Sequence, residues 1–555
     1  MTTAGPRRFP STERGLRTTG RRFPTIARLI GVAKHWDVPS RLAYVGLVFI
    51  GVYVMALGWA MEHRDYDEWG AFAVFPVLVT VSLPILWHIT RDDERPIPGI
   101  LGFAVVAKLL ASMARYYVVF AVYEGNADAS TYHEAGIQIR RSFRSGVISV
   151  FELIPHTQGT DFLKQLTGLL YAVMGPTVLG GFLVFSWMGF WGLIFTYRAV
   201  LIAFPEIDSR RYAKFLFFLP SLLFWPSSLG KESWLMFTLG ITFYGAAGLL
   251  TARRSGLALT LLGCLLTAMV RPHVAAVAIL SLAIAFVFRS SRTGDDVGKT
   301  EGASARKLII VGILIIGVAV AISQSARFLG SRGNINDVLN SVSKQTNIGG
   351  SAVRSEHPNS ILQFPQAVFA VLFRPTLLEA HNLTNLIAAM ETTTLLVFFV
   401  TSAKRIRTCP AWLFRRPFVL FCVTYSAIFS FAWSSVGNLG ILARQRTLAW
   451  PAVLILLALP TSRPKRRQTQ GSLRAAALQD AASPVKGDPA ANVASRTVAT
   501  AFHMTAASKR VAQSARAAVP IRALSTSSSI NDAIADRRAP GSPGATTRHV
   551  SSGDT

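Results

Sequence analysis

The stretch Glu124–Gly136 (EGNADASTYHEAG) interrupts long apolar sequence with side chains that are suited to chemistry. A carboxylate can take the proton of a reacting hydroxyl, or it can bind a metal ion that activates the hydroxyl. We therefore expect Asp128 to be the catalytic residue. Its neighbours Tyr132, His133 and Glu134 are expected to bind substrate or to shape the site.

Cations recur beside other apolar segments, and each lies close to a further polar residue. These candidates are Lys231 with Glu232 in SSLGKESW, Arg271 with His273 in MVRPHV, and Arg444 with Arg446 in GNLGILARQRTLAWP. Arginine binds phosphate in a bidentate fork, so the set predicts a site for a phosphate-bearing substrate. The alternative is that each cation only anchors its segment by reaching toward the lipid headgroups.

Two more cations, Lys108 and Arg115, lie within a single apolar segment. Their spacing of seven residues is two helical turns, so both lie on one face. Two arrangements fit this spacing. Either the two cations face the interior of a bundle and are paired there, or they line a polar cavity that leads toward Asp128.

The elements that must position these residues are apolar helices. The chain has 555 residues, of which 51% are hydrophobic and 15% are charged, and its mean hydropathy is +0.39. A soluble domain has about 25% charged residues. The apolar residues fall in blocks of about 17–25, the length that spans a bilayer. The prediction is an all-α, polytopic bundle of about twelve transmembrane helices.

The formal charge of +28 follows the topology of such a bundle. The excess lies in the two tails and in alternate loops, as the cytoplasmic bias of Lys and Arg predicts. No nucleic-acid-binding motif accompanies it, so nucleic acid is not an expected partner. The basic tails would instead attract anionic membrane lipids. The three cysteines are too dispersed for a disulfide framework or a zinc site.

Three regions follow from these patterns. Residues 1–40 are predicted to be a disordered basic leader, residues 41–460 the transmembrane domain, and residues 461–555 a disordered tail. Both termini should be cytoplasmic, so loops 124–165 and 324–365 would face outward from the inner membrane.

Three short stretches carry a resemblance to known families. The outward loop with Asp128-Ala-Ser-Thr-Tyr132-His133 resembles the acidic loop of multi-pass GT-C glycosyltransferases, and the segment 218–232 is similar to a stretch in bacterial membrane proteins of this type. The closing segment 437–446 resembles polysaccharide polymerases of the O-antigen polymerase type. The GT-C resemblance implies a polyprenyl-phosphate sugar donor, with the loop acid as base or metal ligand. Asp128 lacks the adjacent acid usual in that family, which leaves metal dependence open.

The leading hypothesis is an envelope glycosyl-transfer enzyme with a lipid-linked sugar donor and a glycan or lipid acceptor. A polysaccharide polymerase and a transporter or flippase of a lipid-linked glycan are the alternatives, and a structural scaffold is a further one. No cofactor is certain from the sequence, although the carboxylates leave room for a divalent cation.

Overall fold

The computed structural model describes residues 40–91, 93, 97–125, 127–146, 158–290, 301–328, 346, 361–380 and 383–462. These residues belong to one compact unit, Met1–Pro464. They are helical and contain no strand, so the all-α prediction is confirmed for this part of the chain. The predicted leader apart from residue 40, the predicted tail apart from residues 461 and 462, and residues 126, 147–157, 329–345 and 347–360 of the two predicted outward loops lie outside the described residues.

The first half of the bundle consists of helices α1 to α9. Their bounds are α1 Ser40–His63, α2 Tyr66–Thr90, α3 Ile97–Tyr117 with a π-helical end Val118–Val122, α4 Asp128–Arg144, α5 Thr160–Met174, α6 Val178–Ala203, α7 Ser209–Phe218, α8 Pro220–Phe224 and α9 Lys231–Leu250.

The second half contains shorter and more broken helices. They are α10 Gly256–Ala268, α11 Pro272–Ser290, α12 Glu301–Phe328, α13 Phe364–Phe373, α14 Leu383–Thr401, α15 Ala403–Ile406, α16 Cys409–Leu413, α17 Pro417–Trp433, α18 Leu439–Gln445 and α19 Trp450–Val453, with 3₁₀ turns at Ile361–Gln363, Leu377–Glu379, Arg446–Leu448 and Leu454–Ala458.

Several of these helices could cross a membrane. By length and composition, five described helices qualify: α2, α3 with its π-helical end, α6, α9 and residues 308–325 of α12. The pair Leu439–Leu448 and Trp450–Ala458, bent by 58°, would make a sixth. Five shorter apolar helices accompany them, namely α10, most of α11, α13, most of α14 and α17. Membrane-helix character is thus visible in the described residues, whereas a bundle of twelve spans is not established by length.

The apolar segment 213–229 does not form one continuous helix. α7 ends at Phe218, and α8 begins at Pro220. Leu219 between them is extended, with φ −64° and ψ 122°. Proline disfavours the helical conformation of the residue before it, which explains the break at this position.

Close backbone packing joins α6 to α9. A Cβ at Gly192 would overlap the backbone carbonyl of Met236, and a Cβ at Gly240 would overlap the backbone of Gly192. Small residues of this kind let apolar helices approach closely where no hydrophobic effect drives their association. This contact holds the N-terminal end of α9 in a defined position.

Polar contacts mark the two ends of α6. At its start, Val178 N and Thr177 Oγ1 donate hydrogen bonds to Asp67 of α2, the second at 2.7 Å. At its other end, Arg198 Nη1 lies 2.9 Å from Asp93 Oδ2. The polar ends of α2 and α6 therefore coincide, as expected for neighbouring helices that cross one apolar layer.

The basic segments 198–214 and 403–416 lie together at the Arg198 end. Arg405 Nη2 is 3.2 Å from Asp208 Oδ2, and Arg416 pairs with Glu206. Arg405 Nη1 also donates to the Leu459 carbonyl at 2.7 Å. These contacts close one end of the bundle, and the candidate site lies at the other.

Candidate functional site

A tight turn after α3 brings Asp128 to the candidate site. The π-helical end at Val118–Val122 leads into Glu124 and Gly125, both with positive φ (50° and 74°). Ser130 Oγ donates to the Gly125 carbonyl at 2.6 Å, which closes the turn. Asp128 then begins α4.

The broken segment after α8 supplies the second carboxylate. Ser233 Oγ donates to the Ser228 carbonyl at 2.7 Å and so closes the turn that precedes α9. Lys231 and Glu232 are the first two residues of α9. They therefore lie at the positive end of a helix dipole.

Four side chains from four separate parts of the chain form a continuous series of ion pairs. We call Asp128, Arg444, Glu232 and Arg271 the acid–arginine ladder. Arg444 Nη2 is 3.2 Å from Asp128 Oδ2, and Arg444 Nε is 2.7 Å from Glu232 Oε1. Arg271 Nη2 is 3.3 Å from the same Glu232 oxygen, and its Nη1 donates to Gln445 Oε1.

The ladder runs from the protein interior toward the surface. The side chain of Glu232 is 2% exposed and that of Arg271 is 12% exposed. Arg444 is 30% exposed and Asp128 is 55% exposed. A buried carboxylate needs paired, hydrogen-bonded partners, and Glu232 has two arginines. Asp128 is the accessible end: within the described residues its Oδ1 accepts no hydrogen bond.

Two further cations lie beside the ladder. Lys231 and Arg115 each interact electrostatically with Glu232 and Arg444. In the part of the chain that the structure describes, neither makes an ion pair. Arg115 instead lies over two rings, with its guanidinium carbon 4.8 Å from the Phe224 centroid and 4.7 Å from the Trp225 centroid. Four cations thus share two carboxylates, and the site has a positive excess.

Tyr132 belongs to the same site. Its side chain is 1% exposed, and its ring lies 4.0 Å from where a Cβ on Gly230 would be. Burial, followed by the carboxylates of Asp128 and Glu232, raises the pKa of Tyr132 above its usual value. The phenol therefore stays neutral at physiological pH and can act as a hydrogen-bonding group.

The structure does not bring His133 or Glu134 into the ladder. His133 Nδ1 lies 2.9 Å from the Tyr171 hydroxyl on α5, and the two rings meet edge-on with centroids 5.5 Å apart. Burial lowers the pKa of His133, although the nearby carboxylates of Asp67 and Glu134 oppose the shift. Glu134 is exposed on α4. Both residues lie on other faces of α4 than Asp128, and neither joins the ladder.

Arg446 and His273 each follow a ladder arginine by two positions and contact other parts of the chain. Arg446 is 1% exposed, and its Nη1 donates to the Leu372 carbonyl at 3.4 Å and to the Arg374 carbonyl. It therefore caps the end of α13, where backbone carbonyls lack helical partners. His273 packs against the Trp433 ring at a centroid distance of 5.5 Å. Both residues thus have contacts with parts of the chain outside the ladder.

Lys108 has a fixed partner as well. Its Nζ donates to the carbonyls of Leu222 at 2.6 Å and Leu223 at 3.2 Å, and its side chain is 1% exposed. It makes no pair with Arg115, which lies over the Phe224 ring. Lys108 therefore faces the interior of the bundle, as in the first expected arrangement, but its partners are backbone carbonyls. Both cations contact the segment around α8.

Sequence reasoning did not identify Gln445 as a partner of Arg271. A glutamine between two arginines is ordinary in a polar turn, so the residue type alone did not indicate a role for Gln445 in the site. Arg115 was a detectable signal, because an arginine inside an apolar helix marks a functional or paired group. In the described residues no group of three or more His, Cys, Asp or Glu side chains gathers to hold a metal ion.

Comparison of the chain with protein-family models, with curated proteins and with solved structures found no match. The functional argument therefore depends on the geometry of the ladder and its neighbours.

Proposed function

We propose that this protein is an integral membrane enzyme that transfers a glycosyl unit from a polyprenyl-phosphate-linked sugar to a glycan or lipid acceptor in cell-envelope synthesis. The observation that carries the proposal is the acid–arginine ladder with its excess of cations. A lipid-linked phosphate needs cations at headgroup depth, and an acceptor hydroxyl needs an accessible carboxylate. The ladder region offers both within one site.

In the proposed reaction, Asp128 takes the proton of the acceptor hydroxyl. The acceptor oxygen forms a bond to the anomeric carbon of the sugar, and the bond from that carbon to the phosphate oxygen breaks. The electron pair leaves with the polyprenyl phosphate. Because negative charge grows on this leaving group, nearby fixed cations stabilise the transition state more than the ground state. Tyr132 would contribute a neutral hydrogen-bonding group beside the acceptor.

The proposed orientation places the ladder at the outer face of the cytoplasmic membrane of a bacterium, with both termini inside. The support is that the basic segments 198–214 and 403–416 lie together at the opposite end of the bundle. On this proposal the shorter apolar helices α10, α11, α14 and α17 also cross the bilayer, which brings the count toward twelve, whereas α13 is re-entrant or lies in the interface. The basic leader and tail would bind anionic lipids at the inner face.

The catalytic role is tested with Asp128→Asn. Loss of the general base should lower glycosyl transfer by about 10²- to 10⁴-fold. The matched control is Glu134→Gln, an exposed acid on the same helix that is outside the ladder. Both variants should reach normal abundance in the membrane. Full transfer activity of Asp128→Asn would exclude Asp128 as the base.

The orientation is tested by labelling single cysteines with a membrane-impermeant maleimide. Thr131 and Arg415 are exposed at the two ends of the bundle, so Thr131→Cys should react in intact cells and Arg415→Cys only after lysis. Cys264 and Cys422 are buried, whereas the partly exposed Cys409 is replaced by serine in both variants. The reverse labelling pattern would place the ladder inside the cell.

The same ladder also fits a polysaccharide polymerase, in which the acceptor is itself a lipid-linked glycan. A transporter or flippase is less well supported, because a continuous polar path is needed for translocation. Lys108, in the middle of α3, is bound to the carbonyls of Leu222 and Leu223. Reconstitution in liposomes separates these functions: lipid translocation without a new glycosidic bond would favour transport.

A further inference from the structure

The five-residue helix α8 is held at both ends by charged side chains from other helices. Ser221 N, near its start, donates to Glu391 Oε1 of α14 at 2.9 Å. Lys108 of α3 donates to the carbonyls of Leu222 and Leu223 at the other end. An acid at the start of a helix and a base at its end both complement the helix dipole. Charged side chains within a membrane cost free energy unless they are paired. These two contacts therefore hold α8 in one position.

This arrangement positions Arg115. The last residue of α8, Phe224, and the next residue, Trp225, provide the two rings near the guanidinium. Stacking on rings holds the plane of a guanidinium but leaves its N–H edge available. Arg115 Nε is buried and has no hydrogen-bond partner in the described residues. A buried donor of this kind costs free energy unless a ligand satisfies it.

Lys231 is the second cation with unused donors. Its ammonium makes no hydrogen bond within the described chain. Lys231 is the first residue of α9 and directly follows Gly230. It interacts electrostatically with all four members of the ladder, so it is close to the same ion pairs as Arg115. By contrast, Arg271 and Arg444 already donate to Glu232.

We propose that Arg115 and Lys231 form the anion subsite, and that it takes the phosphate of an isoprenoid phosphate. This rests on the proposed function and deepens it, because it separates two cations that bind ligand from two arginines that are held by carboxylates. Lys108 and Glu391 are positioning residues that act through α8. The shared chemistry is a phosphate ester at headgroup depth, and three probes distinguish an isoprenoid phosphate from other sources.

The test is calorimetric titration of the purified full-length protein in detergent with farnesyl phosphate, inorganic phosphate and phosphatidylglycerol micelles. Farnesyl phosphate should bind most tightly. Arg115→Gln and Lys231→Gln should each weaken it at least tenfold. Lys164→Gln is the matched control, since Lys164 is a cation on α5 that pairs with Asp161 outside the ladder. It should leave the affinity unchanged.

A second pair of variants guards against misfolding. Arg115→Lys keeps the charge but loses the planar stack, so its affinity should fall between those of the wild type and Arg115→Gln. Lys231 makes no hydrogen bond in the described chain, so its variant should elute as the wild type does in size-exclusion chromatography. Unchanged farnesyl phosphate affinity in Lys231→Gln and Arg115→Lys would overturn the subsite, as would equal affinity for phosphatidylglycerol.

Failure of the subsite and failure of the enzyme are distinguishable. The titration needs no sugar transfer, so binding that depends on Arg115 and Lys231 upholds the subsite even if no glycosidic bond is ever made. Conversely, transfer activity that survives both substitutions, with unchanged phosphate binding, would refute the subsite and leave the enzyme intact.

Discussion

Replacing Glu232 with glutamine should destabilise the protein more than any other single charge removal in the ladder. The carboxylate is 2% exposed and accepts from both Arg444 and Arg271. Removing one partner of a buried ion pair costs about 3–5 kcal/mol, because an uncompensated charge stays behind. Arg444 keeps its contact with Asp128 and is 30% exposed, so we expect the lower end, about 3 kcal/mol.

The comparison variant is Asp128→Asn, which removes a carboxylate from the exposed end of the same ladder. Its side chain is 55% exposed, so solvent screens the pair and the expected cost is about 1 kcal/mol or less. The measurement is reversible unfolding in mixed detergent and SDS micelles, with Glu134→Gln as a control outside the ladder. The losses in free energy of unfolding of the two ladder variants should therefore differ by about 2 kcal/mol, because one carboxylate is buried and the other is exposed.

A double-mutant cycle tests the origin of that difference. Combining Glu232→Gln with Arg271→Gln removes both charges of one pair, so the cost of the double variant should be less than the sum of the single costs. Additive costs would mean that the two groups do not interact. A cost for Glu232→Gln no larger than that for Asp128→Asn would refute the burial argument itself.

Three other predictions concern the residues that support the site. Gly240→Leu should overpack the contact with Gly192 and lower stability by about 1–3 kcal/mol in the same unfolding assay, while a leucine at an open position such as Gly312 should not. Because the pKa of His133 is lowered in the folded state, its neutral form contributes stability above about pH 6.5 that is lost as the pH falls, and His133→Gln should flatten this dependence. Arg446→Gln should lower stability by about 1–3 kcal/mol with unchanged farnesyl phosphate affinity, since it leaves buried carbonyls unpaired.

The region of the site was predictable because topology constrains it strongly. A chain that crosses an apolar layer repeatedly places most of its charged residues at the two ends. Few positions were therefore available to Asp128, Lys231, Arg271 and Arg444. Their grouping at one end follows from counting segments. Their pairing does not follow, because a residue's partner depends on how the helices pack around each other.

Residue spacing explains why candidate residues that are close in the sequence contact different parts of the structure. Arg444 and Arg446 lie two residues apart, which places them on different sides of a helix with 3.6 residues per turn. Arg444 reaches Glu232, whereas Arg446 reaches the end of α13. A similar rotation separates His133 from Asp128 on α4. The break at Leu219 was foreseeable from Pro220. The hydrogen bonds of Glu391 and Lys108 to α8 were not, because they depend on tertiary packing.

The two carboxylates of the ladder differ in their exposure and in the number of their arginine partners. Glu232 is more buried and has two arginine partners, so neither a substrate hydroxyl nor water can readily reach it. Asp128 has one ion-pair partner in the described residues, through Oδ2, and its side chain is 55% exposed. A general base must be within hydrogen-bond reach of the proton it abstracts. On the proposed function, Glu232 therefore orders the arginines, and Asp128 is the carboxylate that can accept a proton from the acceptor hydroxyl.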